Sequence, residues 1–81
     1  MTMLRWTFER NDAALTCELD ANASGSYEVS VVPHWDVSAA AIERFDGAVT
    51  AFERHAELAR YLRGTGWHLA SRTARQSLRA A

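Results

Sequence analysis

Eighty-one residues with a net charge of −1 at pH 7 make one small domain with no global pull toward nucleic acid or anionic membranes. A content of 48% hydrophobic and 23% charged residues is ordinary for a folded domain and argues against intrinsic disorder. The one cysteine, Cys17, excludes an internal disulfide, and no apolar run approaches the ~20 residues that span a bilayer. Met1 to Trp6 also lacks the apolar stretch of a signal peptide, so the cytoplasm is the expected location.

Leu4 to Arg10 alternates, with Leu4, Trp6 and Phe8 on one face and Arg5, Thr7 and Glu9 on the other, which is the period of a half-buried strand. Asn11-Asp12 supplies turn residues, and Ala13 to Leu19 resumes the alternation with Leu15, Cys17 and Leu19 inward. Two strands this close in sequence predict an antiparallel hairpin. Asn22 to Ser26 is the clearest loop, and Tyr27 to Val32 the third strand, with Tyr27, Val29 and Val31 inward. Pro33 ends it or marks an edge, and His34-Trp35-Asp36 connects onward. Val37 to Phe45 reads as a fourth strand, with an early helix from Ser38 as the alternative.

Near Phe45-Asp46 the period changes. Phe45, Ala48, Phe52, Ala59 and Leu62 recur at spacings of three, four and seven, the mark of one helix face. Asp46 is a suitable N-cap, and Thr50-Ala51-Phe52-Glu53 offers a capping box four residues later. Gly64-Thr65-Gly66 stops the helix. Trp67-His68-Leu69 then alternates briefly, folding back on the helix or adding a short strand. The expected fold is α+β: a four-stranded antiparallel sheet in the order β-β-β-β-α, with one long C-terminal helix packed on one face. Residues 1–70 form the domain, and 71–81 an Arg-rich tail that is mobile or loosely helical.

At ~100° per residue, Phe52 centres an apolar helix arc with Phe45, Ala48, Ala56 and Ala59. Ala51, Leu58 and Leu62 extend that arc beyond what one sheet face requires. The surplus needs a cover. Either the chain's own Trp67 and Leu69 supply it, or a partner meets Ala51, Leu58, Tyr61, Leu62 and Trp67. The opposite sheet face, with Arg5, Thr7, Thr16, Glu18, Glu28 and Ser30, suits water.

Motifs with chemistry are sparse. His34-Trp35-Asp36 puts an imidazole, an indole and a carboxylate in one loop, without a nucleophile tied to them by spacing. Cys17, His34, His55 and His68 lack the tight pairs of a metal site. The expectation is therefore no metal, no cofactor and no catalytic residue. The charges are segregated. Residues 1–53 carry three arginines against nine acids, and residues 54–81 six arginines against Glu57. Arg60 and Arg63 near the helix end, with Arg72, Arg75 and Arg79 along one side of a helical tail, are the candidate phosphate contacts.

Trp6-Thr7-Phe8-Glu9-Arg10, Glu43-Arg44-Phe45, Arg54, Leu58 and Gly66-Trp67 together resemble small uncharacterised bacterial proteins that read as several strands followed by one helix. The resemblance spans residues 4–69, leaves out the Arg-rich tail, and implies that architecture with no activity or site. The expected function is a small cytoplasmic domain that binds another protein, or itself as a homodimer, through the helix flank or a sheet edge. A nucleic-acid-binding module using the Arg-rich segment is the alternative, and an enzyme comes third.

Overall fold

The computed structural model describes residues 1–74. Strand β1 (Thr2–Arg10) turns through Asn11-Asp12 into β2 (Ala13–Ala21), and Asn11 takes the left-handed backbone, φ 56°, that the tight turn needs. The antiparallel register sets Leu4 opposite Leu19, Trp6 opposite Cys17 and Phe8 opposite Leu15. The Asn22–Ser26 loop closes with the Asn22 N–H donating to the Ser26 carbonyl at 2.8 Å. It delivers β3 (Tyr27–Pro33), with Val29 opposite Leu19 and Val31 opposite Cys17. Residues opposed across antiparallel strands share a face, so these apolar side chains line one side of the sheet. Phe8, Cys17 and Leu19 are completely buried there.

The segment Val37–Phe45 divides between the two readings of it. Val37–Ala39 is a single 3-10 turn, and Ala41–Phe45 is β4, paired antiparallel with β3. The turn is tied to Asp36, whose carboxylate accepts from the Ser38 hydroxyl at 2.6 Å and whose carbonyl accepts from the Ala39 N–H at 3.0 Å.

Helix α1 (Ala48–Gly64) starts from Gly47, whose extended backbone occupies the cap position. Asp46 therefore sits one residue too early for its carboxylate to reach the first free amides, and the Thr50 hydroxyl donates to the Gly47 carbonyl at 3.0 Å instead of capping. The far end stops as its glycines predict. Gly66 is left-handed at φ 95°; its N–H bonds the Arg63 carbonyl, and the Trp67 N–H bonds the Leu62 carbonyl at 3.0 Å. This reversal lays Trp67 in the same core as Leu62, Phe8, Leu15, Cys17 and Ala59.

The expected four-stranded sheet is corrected to five strands. His68–Ala74 forms β5, antiparallel to β1, and the sheet order is β4-β3-β2-β1-β5, so the helix is not the last element. A boundary at residue 70 falls inside β5, and residues 71–74 are strand rather than tail. The driving force is local. Without β5, the free edge of β1 would expose its main-chain donors and acceptors. Leu69 comes opposite Phe8, and Arg72 opposite Trp6 lays its guanidinium 5.5 Å from the indole centroid. Because β4 and β5 are opposite edges, α1 crosses the sheet between them.

The helix also lies rotated from the Phe52-centred expectation, by about 75°. Ala51, His55, Ala59 and Leu62 are buried against the sheet, with Leu58 half-buried between the two parts of the core. Val49, Phe52 and Tyr61 face solvent. Two alanines on the inward face let the helix approach closely, and His55 is admitted because a strand carbonyl receives its N–H. Of the five residues expected to meet a partner, Ala51, Leu62 and Trp67 are core, Leu58 is half-buried, and Tyr61 alone lies on the surface.

Candidate functional site

The alternation that turns Trp6 and Cys17 toward the helix sends Arg5, Thr7, Thr16, Glu18, Glu28 and Ser30 to the opposite face. Cross-strand pairs organise it. Arg5 Nε donates to Glu18 Oε2 at 2.7 Å, and Arg44 donates to Glu28 Oε2 at 2.8 Å. The Thr7 and Thr16 hydroxyls are 3.3 Å apart, and Thr16 Oγ1 lies 2.7 Å from His34 Nε2. The last distance is that of a nucleophile and its base. Thr16 is nonetheless buried between strands and shared with Thr7, while Asp36 is turned to Ser38 and leaves the imidazole without an orienting carboxylate. His34 and Asp36 thus stand apart from each other's hydrogen bonds, and neither bonds Cys17, His55 or His68 among the described residues.

The His34-Trp35-Asp36 loop is anchored by its indole. Trp35 stacks on Trp67 with centroids 6.2 Å apart and planes 16° from parallel, and Arg10 sets its guanidinium 4.7 Å from the centroid of the Trp67 ring. Arg10 also donates to the Thr65 carbonyl at 2.9 Å, fixing the turn that follows α1. Trp67 closes the end of the core, and Trp35 lies over it with 62% of its surface exposed.

The four candidate metal ligands are scattered. Cys17 and His55 lie under the helix, His34 bonds Thr16, and His68 stands opposite Glu9 on β1. Among the described residues no group of three or more His, Cys, Asp or Glu converges on a metal-sized point. Of the candidate phosphate contacts, Arg60 and Arg63 are exposed on α1 and Arg72 is exposed on β5. Arg72 is part of a strand, so it does not join Arg75 and Arg79 on a helical side; those two lie outside the described residues. Arg63 in the last helical turn also complements the negative end of the helix dipole.

The structure identifies which strand is the free edge. Among the described residues β4 pairs with β3 on one side and with no strand on the other, and Ala41, Ile42, Glu43 and Arg44 are all exposed. Ile42 stands opposite Ser30 on the open face with 63% exposure. Glu43 is opposite Val29 on the helix side, where Arg54 Nε reaches it at 2.7 Å while another Arg54 nitrogen holds Glu57 at 2.9 Å. The exposed β-branched residue is readable in sequence, but its position at an edge depends on strand order.

Buried beneath α1 is a polar contact of another kind. His55 Nε2 donates to the Cys17 main-chain carbonyl at 3.1 Å, and the ring meets Trp6 at right angles with centroids 5.0 Å apart. Burial lowers the imidazole's affinity for a proton, a trend that the bond to the Cys17 carbonyl only partly opposes. Burial also pushes the Cys17 thiol up to about 12, which keeps it uncharged and unreactive. Comparison of the chain with protein-family models, curated proteins and solved structures returns no match. No helix among the described residues is long and apolar enough to cross a membrane.

Proposed function

We propose that this chain is a small cytoplasmic protein-interaction domain that associates along its β4 edge, with a second copy or with another protein. The observation that carries this reading is the exposed strand Ala41–Phe45, paired among the described residues on one side only and bearing an uncovered Ile42. A free edge offers rows of main-chain donors and acceptors to an incoming strand, and an apolar side chain beside them adds contact area. A domain of this size also buries a modest core, so association adds stability that the chain alone cannot supply. The helix flank is the weaker surface for this role, because Ala51, Leu62 and Trp67 are already packed inside.

Light scattering across a concentration series, beside a pull-down from cell extract, tests the reading. The expected result is mass that rises with concentration, or a specifically retained protein, with either one lost in Ile42→Lys. A strictly monomeric wild type combined with a pull-down that Ile42→Lys leaves unchanged would sink it.

Nucleic-acid binding is the second reading, supported by exposed Arg60, Arg63 and Arg72. Against it, the open sheet face carries Glu9, Glu18, Asp20 and Glu28 beside Arg5 and Arg44, an excess of negative charge. Binding that weakens with salt and with Arg60→Ala/Arg63→Ala would favour it; no binding at low salt removes it.

A further inference from the structure

We propose that His55 is an acid-sensitive clasp, whose protonation detaches α1 from the sheet and uncovers Cys17. The ring sits at the inward face of the helix with 2% of its surface exposed. Its Nε2–H is committed to the Cys17 carbonyl, so the neutral ring carries its proton there and the added proton must go to Nδ1. That proton would place a cation between helix and sheet, which is costly without a counter-charge.

The described surroundings supply none. From β1 comes the indole of Trp6, and from β2 the uncharged thiol of Cys17. β3 presents Tyr27, Val29 and Val31 on this face, and from β5 Arg72 lies over the Trp6 ring as another cation. The carboxylate of Glu43 on β4 is bound to Arg54, as is Glu57 on the helix itself. Among the described residues no salt bridge reaches His55.

The direction follows from linkage. Burial holds the closed-state imidazole below its ordinary value of 6.5, whereas the ring of an open chain titrates at that value. Above 6.5 both states leave the ring neutral and the clasp is indifferent to pH. As pH falls below 6.5, the open state takes the proton more readily than the closed state, and opening gains, by at most about tenfold per pH unit, until the closed state titrates too. The chain's single thiol lies directly under the clasp and is completely buried when it is shut, so Cys17 reports opening.

The experiment measures labelling of Cys17 by dithiodipyridine from pH 7.5 to 4.5, each rate divided by that of the urea-unfolded chain at the same pH. In wild type the normalised rate should stay level well above 6.5 and then rise as pH falls, by no more than about tenfold per unit. His55→Gln keeps an N–H for the Cys17 carbonyl and cannot be charged, and its profile should be flat. His34→Gln and His68→Gln should keep the wild-type slope. If His55→Gln does not fold, NMR titration of the His55 ring in the folded wild type decides, with a midpoint below 6.5 expected. A His55→Gln profile with the wild-type slope would falsify the clasp, as would a slope lost in His34→Gln or a folded-state midpoint at or above 6.5. This outcome is independent of whether β4 associates, since none of these readouts depends on protein concentration.

Discussion

The two faces of the sheet are made by the same strands, residue by residue in alternation, yet they keep their polar groups in opposite ways. On the covered face one imidazole survives on a single main-chain hydrogen bond, surrounded by Trp6, Cys17 and apolar neighbours. On the open face Thr7, Thr16 and His34 share bonds, and Arg5–Glu18 and Arg44–Glu28 are within reach of water. Loss of a partner in those ion pairs is repaired by solvent; under the helix it is not. Stability and sensitivity to acid are therefore concentrated on one face, and tolerance to change on the other.

The largest expected effect comes from adjacent residues of β1 that point to opposite faces. Phe8→Ala should cost about 3–5 kcal/mol in urea unfolding, a large part of the stability of a small domain. Thr7→Ala should cost about 1 kcal/mol or less. Equal costs would break the contrast between the faces. A middle effect is expected where the chain turns Trp67 into the covered face. Gly66 has φ 95°, and an added Cβ would meet only Arg10 Cδ at 3.5 Å, so Gly66→Ala is strained by its backbone rather than by crowding. It should cost about 1–2 kcal/mol, seen as a drop of several degrees in Tm. A neutral result would mean that the helix stop does not depend on the left-handed residue. The smallest effect belongs to the open face. A double-mutant cycle on Arg5 and Glu18 should give a coupling below about 1 kcal/mol that shrinks with salt, because both side chains are solvated. A coupling several times larger would put that face on the same footing as the core.

The strands and their faces were legible because period two leaves little freedom: a slip of one residue would turn Leu15, Cys17 and Leu19 outward. The helix stop was legible for a similar reason, since Gly66 is among the few residues that take its backbone angle cheaply. Two features were legible only in part or not at all: a short strand after the helix was one of two readings, its full length and pairing were not, and neither was the facing of the helix. β5 has one large apolar residue, Leu69, and otherwise polar or small side chains, so its strand character comes from the edge that β1 offers and not from its own pattern. The rotation of α1 was hidden because apolar bulk identifies Phe52 as the centre, whereas close approach to the sheet selects Ala51, His55 and Ala59. Of the candidate site, His55 and Ile42 are ordinary letters in the chain. What gives them meaning is burial against a strand carbonyl in one case and strand order in the other.

Because β5 closes beside β1, the order in which the chain is synthesised matters to its safety. β1 to β4 can form from neighbours in sequence, with short loops and little closure entropy. The second partner of β1 is the last strand described, and it arrives only after the helix has crossed the sheet. A nascent chain that has not yet released residues 68–74 therefore displays β1 as an open edge, with Trp6 lacking the cover of Arg72. The interval before that final pairing is when this protein is most exposed to misassembly with its own copies.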